Sequence, residues 1–240
     1  DALRYTALLG EGILPPGCSV PVLRSHWPTG RVVVRLLGEQ LAQPWVLRRI
    51  EADLVHGPAF VAPLLAPCPA VVTIHDLSFI RFPAMFRPGN RFYLTVLTRL
   101  SAQRARRLIA VSAHTAAETM RLLGVEPQRI DVVYHGVDPA FRPLPAEEVT
   151  AFRQQQGLPE RFVLFVGTLE PRKNLVRLVE AFARVRDGHT RLVLAGGKGW
   201  LYEDLLARIE ALNLSKQVIF AGYVPGDVLP WWYNAAVALV

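Results

Sequence analysis

The chain alternates between short continuous apolar runs and longer stretches with helical periodicity. The runs in ADLVHGP, AVVTIHD, RLIAVS and IDVVYHGVD, and those over 162–166, 191–195 and 217–221, each end in a polar or glycine-containing turn, and a last run covers 237–240. Continuous rather than alternating apolar residues predict strands buried on both faces, as in a parallel sheet covered by helices. Between them, Phe92, Leu94, Val96, Leu97 and Leu100 recur near a 3.6-residue period, which predicts a helix from Pro88 to Arg107. Leu175, Leu178, Val179, Phe182 and Val185 form the apolar stripe of a second helix over 175–186, with further helices over 200–211 and 227–234. Ser112 or Thr115 can N-cap another helix, TAAE has the form of a capping box, and Gly124 fits a C′ glycine. Nearer the start, ALRYTALL reads as a helix, and residues 32–50 read as helical with Pro44 interrupting them.

The alternation is β-α-β-α on both sides of a change in composition. Pro139, Pro143, Pro145 and Pro159 frame a polar helix over about 147–156. The predicted organisation is an N-terminal domain over 1–143, a linker over 144–160 and a C-terminal domain over 161–240. Each domain is α/β, a Rossmann-like doubly wound parallel sheet. There is no internal repeat or low-complexity tract. In open α/β sheets, ligands bind beyond the carboxyl ends of the strands, so the strand-end turns hold the candidate chemistry.

Composition narrows the functional classes. Half of the 240 residues are hydrophobic (51%) and 20% are charged, which suits a packed core and argues against disorder. No apolar run reaches the roughly 18 residues of a membrane span. The net charge of +7 favours anionic partners. Of the 27 basic residues only Lys173, Lys198 and Lys216 are lysines. Cys18 and Cys68 match no metal or redox spacing and read as reduced thiols of a cytosolic protein. The chain has no initiator Met and stops inside the apolar run AAVALV, so further sequence is expected at both ends.

The most informative turn is VLFVGTLEPRKNL. Its strand ends at Gly167, which permits a tight turn and close approach of a ligand. Asn174 can N-cap the following helix, whose first N–H groups and positive dipole end suit a phosphate. Arg172 and Lys173 add two cations where acids are normally preferred. This fits a diphosphate clamp, and it equally fits a solvated loop whose cations pair with Glu170. AGGKG (195–199) closes the next strand with Gly196, Gly197 and Lys198, and FAGYVP (220–225) closes the third with Gly222. AGGKG suits a ligand carrying phosphate or ribose, but it is neither a dinucleotide fingerprint nor a P-loop and fits an ordinary turn equally well, while FAGYVP leaves backbone open to a base or sugar.

Other features carry less. His75 and Asp76 follow the strand VVTI, where a histidine is either structural, an acid/base group or a donor to a sugar hydroxyl. His26, His56, His114, His135 and His189 make no metal-ligand spacing, and His135 reads as structural. Arg99, Arg104, Arg106 and Arg107 fit anionic lipid or, more simply, a solvated helix face. No DNA- or RNA-reading motif is present.

Taken in order, TIHDLSF, AVSAHTAAE, VVYHGVD, FVGTLEPRKNL, LVLAGGKGW and FAGYVP resemble the GT4-type retaining glycosyltransferases of the GT-B fold. The likeness runs from LRYTALL to AAVALV, and is strongest to the bacterial polysaccharide and lipopolysaccharide mannosyltransferase-like branch. The resemblance implies two Rossmann-like domains facing across a cleft, an N-terminal acceptor domain and a C-terminal donor domain. It implies transfer of a hexose, with retention, from a nucleotide-diphosphate sugar such as a GDP- or UDP-hexose to a saccharide or lipid-linked acceptor. No cofactor or metal is implied. Arg172 and Lys173 would hold the diphosphate and His75 would contact the transferred sugar. Gly167, Thr168, Glu170, Asn174, Gly196, Gly197, Lys198, Gly222, Tyr223 and Val224 would line the donor site. Such a protein works in the cytoplasm or at the inner membrane face. Many members carry Arg where this chain has Thr168. The family's first strand belongs before LRYTALL, and its E-x7-E acids belong after AAVALV; a polypeptide without them is expected to be inactive. The alternatives are a non-catalytic nucleotide-sugar-binding or scaffold protein of the same fold and, more remotely, a nucleotide-sugar epimerase.

Overall fold

A computed structural model describes residues 3–11, 14, 17–25, 32–86, 88–185, 188–197, 199 and 203–240. The chain divides into two compact units, Asp1–His135 and Gly136–Val240.

In the first unit, β1 (Ala7–Leu9) and β2 (Val22–Arg24) form a separate two-stranded parallel sheet. The helix expected over ALRYTALL is therefore not formed. Its short apolar run fits either structure by pattern, and pairing with β2 decides the outcome: Ala7 N–H donates to the Pro21 carbonyl (2.8 Å) and Ser25 N–H to that of Leu9 (2.7 Å). Helix α1 (Val32–Leu37) runs through a wide π turn (Gly38–Ala42) into α2 (Gln43–Arg49). Pro44 thus opens α2 without ending the helical run, and the π turn ahead of it takes up the misfit.

The main sheet of this unit orders β3 (Val55–Gly57), β4 (Ala70–Ile74), β5 (Arg107–Ala110) and β6 (Ile130–Val132), all parallel. Val72 pairs with Leu108, and both are wholly buried. The short α3 (Ser78–Arg81) and the long α4 (Pro88–Arg104) follow β4. Helix α4 exists as expected, but its apolar stripe is not its buried face. Phe92 is 72% exposed, with Val96 and Leu100 also exposed, whereas Thr98, Ser101 and Ala102 are buried. Small residues let α4 lie close on the loop after β3, where the Ser101 hydroxyl accepts from Ala62 N–H at 3.2 Å. Helix α5 (Ala113–Leu123) is N-capped by Ser112, whose hydroxyl accepts from Thr115 N–H (3.0 Å), and ends at Gly124 in the left-handed region. The capping box expected at Thr115–Glu118 is not used. Glu118 instead pairs with Arg81 (3.5 Å) and Arg121 (3.0 Å).

The second unit begins before its predicted boundary. Asn234 accepts from Leu144 N–H (2.9 Å) and donates to the Arg142 carbonyl (3.0 Å), and Phe141 packs on Tyr233 at 5.5 Å. The segment expected to be a linker carries α6 (Ala146–Gln155), with Val149 buried and Phe152 stacked on Trp231 at 5.6 Å. It is part of the core because its two apolar residues find a partner surface on α9 (Leu229–Ala235). The sheet orders β10 (Ala238–Leu239), β7 (Phe162–Val166), β8 (Arg191–Ala195) and β9 (Val218–Gly222), all parallel.

Strand alternation sends side chains to both faces of this sheet. Phe162, Leu164, Val193 and Ala195 pack against α6 and α9. Phe165, Leu192 and Leu194 pack against α7 (Leu175–Phe182) and α8 (Glu203–Ala211). Two buried faces explain the continuous apolar strands. Helix α7 is shorter than expected. It is capped at Ala183, and Val185 is 44% exposed rather than buried.

Candidate functional site

The carboxyl ends of β7, β8 and β9 continue into three turns that are bonded to one another through their backbones. Gly167 N–H donates to the Ala195 carbonyl (2.9 Å), and Leu169 N–H to that of Gly197 (3.0 Å). Gly199 N–H donates to the Leu169 carbonyl (3.1 Å), and Gly196 N–H to that of Gly222 (2.7 Å). The sheet ladder thus extends past the strands, and Gly167, Thr168, Gly196, Gly197 and Gly222 lie side by side along one edge. The glycine at 196 is a steric necessity. A Cβ there would overlap the Gly167 carbonyl oxygen, and its φ of +158° is one that other residues rarely adopt. The Thr168 methyl packs against Gly199, 3.0 Å from where a Cβ on that glycine would stand.

Beyond Gly167 the chain makes a 3-10 turn over Pro171–Lys173, and Asn174 sits in the left-handed region (φ 55°, ψ 37°) ahead of α7. Asn174 stands at the N-cap position, but its side chain makes no capping hydrogen bond. The capping role expected for it therefore falls to no side chain, because the left-handed backbone turns the residue away from the usual extended cap geometry. The two cations divide. Arg172 grips Glu170, with Nε donating to Oε1 at 2.9 Å and a terminal nitrogen to the same oxygen at 2.7 Å. Glu170 is buried, its side chain only 4% exposed, while that of Arg172 is 35% exposed. The pairing contemplated from sequence is thus real for Arg172. Lys173 folds the other way: its Cε lies 3.7 Å from the position a side chain on Gly167 would occupy. The absent side chain makes room for the lysine stem, which carries the ammonium back toward the end of β7. Tyr223 and Val224 follow Gly222, with Tyr223 78% exposed. Lys198 lies outside the described residues, as does His26.

The first unit holds His75 at the end of β4. Its Nε2 lies 2.8 Å from the Pro58 carbonyl. A carbonyl only accepts, so Nε2 donates to it, and Nδ1 is the ring's other polar atom. The ring stacks on His135 (5.5 Å, 16°) and meets the edge of Phe60 (5.7 Å). Thr115 Oγ1 donates to the His75 carbonyl at 3.2 Å. Asp76 accepts from the backbone and the hydroxyl of Ser78, at 2.8 and 2.5 Å. His135, read as merely structural, is thus a direct neighbour of His75. They are far apart in sequence, and only the adjacency of β4, β5 and β6 brings them together. Among the described residues, no three His, Cys, Asp or Glu side chains group to hold a metal ion.

Comparison with known proteins adds the following. Residues 9–141 match the family described as Glycosyltransferase Family 4, and residues 148–240 match Glycosyl transferases group 1. The chain is 30% identical over 204 residues to O-antigen chain mannosyltransferase B of Escherichia coli, covering 82% of this chain and 53% of that protein. It is 28% identical over 214 residues to 2-deoxystreptamine glucosyltransferase of Streptomyces kanamyceticus, covering 87% and 52%. The chain therefore spans about half the length of the curated relatives it matches. Among solved structures, WaaG, a glycosyltransferase involved in lipopolysaccharide biosynthesis, superposes with a TM-score of 0.71 at 19% identity, covering 97% of this chain and 65% of WaaG. Anabaena HepE, solved with UDP-glucose, gives 0.68 at 23% identity, covering 92% and 60%. These likenesses are of fold, and the fold is GT-B.

Proposed function

The chain belongs to glycosyltransferase family 4, matched over more than half of its length, and from that premise we propose that the whole protein moves a hexose from a nucleotide-diphosphate sugar to a saccharide or lipid-linked acceptor, with retention of anomeric configuration. The observation that carries this reading is the placement of Lys173. Its stem lies over Gly167 at the carboxyl end of β7, beside the linked turns of β8 and β9.

A donor diphosphate at this edge meets the Lys173 ammonium and the exposed part of the Arg172 guanidinium. As the bond from the sugar to the diphosphate breaks, negative charge grows on the leaving oxygen, and fixed cations stabilise that charge. The Arg172–Glu170 pair holds the guanidinium still, so little reorganisation is needed when the charge appears. Two cations supply what a divalent ion would, and we assign the reaction no metal. Gly197, Gly222 and Tyr223 are exposed, and with the half-buried Gly196 and Val224 they line the edge offered to the nucleoside. The His75 ring, held by its Nε2 bond to the Pro58 carbonyl, suits a sugar hydroxyl. The relatives named for mannosyl and glucosyl transfer, and the neighbour solved with UDP-glucose, support a GDP- or UDP-hexose.

Among the described residues no helix is long and apolar enough to cross a membrane. The exposed Phe92, Val96 and Leu100 of α4, beside exposed Arg99, suit peripheral contact with an anionic inner membrane face.

A second reading has one observation behind it. Arg172 already has a carboxylate, so the loop could hold a nucleotide sugar without driving transfer. The two readings separate experimentally. UDP- or GDP-hexose should raise the melting temperature, and Lys173→Glu should abolish that shift. If the shift survives Lys173→Glu, the diphosphate assignment is wrong. If the donor binds but the full-length protein consumes none in the presence of acceptor, the binding-only reading stands.

A further inference from the structure

A second basic feature lies at the opposite end of the first unit's sheet. A cavity of about 650 Å³ opens where β4 and β5 begin and α4 ends. Its volume is in the range of small-molecule sites. Arg104, Arg106, Arg107 and Arg129 line it, and no Asp or Glu does.

The four arginines are not equivalent. Arg129 is committed to structure: it donates to the Ala102 carbonyl (2.8 Å), the Gln103 carbonyl (3.1 Å) and the Ala105 carbonyl. That closes the carboxyl end of α4 and offsets the negative end of its dipole. Arg107 is also committed, to Asp131 through two hydrogen bonds (2.9 and 2.5 Å) and to the Gln128 carbonyl (2.5 Å). Arg104 and Arg106 differ. Both are exposed, and among the described residues neither side chain has an acidic or hydrogen-bonding partner. The cavity therefore holds two guanidinium groups with no such partner among the described residues, beside Arg129, which meets only carbonyls, and Arg107, which is paired with Asp131. Ala62, Pro63 and Leu64 give the cavity an apolar stretch of wall, with Ser101 and Gln103 as its uncharged polar lining.

We propose that this cavity binds a phosphate-bearing anion, with Arg104 and Arg106 as its ligands. Arginine forks match phosphate oxygens in pairs, and the apolar wall suits the organic part of a phosphate ester. The site is distinct from the candidate donor edge, which belongs to the second unit. It is also distinct from His75, since Ala70 and His75 stand at opposite ends of β4, roughly 16 Å apart at strand rise. The anion comes either from a soluble phosphate ester or from a lipid headgroup presented at a surface, and the chemistry of recognition is the same.

Cys68 lines the cavity and is half-buried, whereas Cys18 is exposed. This pair gives an internal reporter. The experiment uses the Lys173→Glu protein throughout, so that the donor edge is silenced. Inorganic phosphate, pyrophosphate, and phosphatidylcholine vesicles with or without phosphatidylglycerol are the probes. Phosphate or pyrophosphate should saturably slow alkylation of Cys68 by iodoacetamide and leave Cys18 unchanged. The double variant Arg104→Glu/Arg106→Glu should weaken that protection about tenfold or more, and Arg99→Glu, on α4 but outside the cavity, should not. Arg104→Gln/Arg106→Gln replaces the double variant if charge reversal prevents folding. If vesicles containing phosphatidylglycerol sediment the protein through Arg104 and Arg106 while free phosphate gives no protection, the same site reads a lipid headgroup. If neither probe binds, or if the double variant binds as well as the parent, the proposal is overturned.

Discussion

The turn after β4 and the turn after β7 occupy equivalent places in their sheets and are built by opposite means. The first is tied by side chains: His75 to the Pro58 carbonyl, Asp76 to Ser78, Thr115 to the His75 carbonyl, with His135 stacked on the imidazole. The second is tied by backbone: four N–H···O=C bonds join the turns of β7, β8 and β9. The difference assigns work to side chains. Where the backbone bears the structure, Lys173 and Thr168 are left over for other contacts. Where side chains bear it, the same groups must hold the loop and meet any ligand.

The comparison breaks most severely at Gly196. Gly196→Ala forces a methyl into the Gly167 carbonyl and strains a φ of +158°, so the ladder must part. The expected cost is about 2–4 kcal/mol, read as a lowered urea midpoint for the second unit. Gly222→Ala is the control. It also has a positive φ but open space around the added carbon, and should cost about 1–2 kcal/mol. Equal losses at the two positions would mean that the close approach of backbones is not what matters.

A smaller effect is expected in the side-chain-tied turn. Asp76→Ala removes the acceptor for the Ser78 N–H and hydroxyl and should cost about 1 kcal/mol, while Asp76→Asn should recover part of it. Thermal melts of the three proteins decide this. If Asp76→Ala matches the parent, the turn is held by something other than the carboxylate.

The smallest effect concerns pH, and it too belongs to the first unit. Burial raises the pKa of Glu39, with Arg35 pulling it partly back, and one carboxylate oxygen has no partner. A raised folded pKa means that the stabilising contribution is full below the unfolded pKa and is lost as pH rises through the folded one. Ionised Glu39 is therefore a cost at neutral pH. Glu39→Gln should raise the melting temperature at pH 7 by an amount worth less than about 1 kcal/mol, with the gain fading as pH falls from the raised folded pKa toward the ordinary carboxyl value and gone below it. A gain that persists unchanged at low pH would show that charge is not its cause.

Much of this architecture was legible along the chain. The strands β4, β5, β7 and β8 announce themselves because both sheet faces are covered and nearly every position is apolar; the edge strand β9 reads the same way although Ile219 and Phe220 are exposed. The edge where the three turns are linked is legible for a related reason: glycines and cations at the ends of such strands have no packing role that periodicity could predict. The failures have equally specific causes. The three residues of β1 are too few to show a period. Helix α4 is buried on Thr98, Ser101 and Ala102, a face that hydrophobic periodicity does not weigh, so Phe92 was placed on the wrong side. The prolines around 139–159 suggested a linker, yet Val149 and Phe152, three apart on one helix face, marked α6 as a packing helix. The stacking of His135 on His75 had no local signal at all, because it depends on which strands become neighbours. Lys198 falls outside the described residues.

Arg129 has a bearing on the order in which the first unit assembles. It closes the carbonyls of Ala102, Gln103 and Ala105 from 24 to 27 positions further along the chain. During synthesis, the last turn of α4 therefore leaves the ribosome open-ended. It stays so until β5 and α5 have been made and the lead-in to β6 arrives. A nascent chain arrested before residue 129 should exchange its amide protons there faster than one arrested after β6.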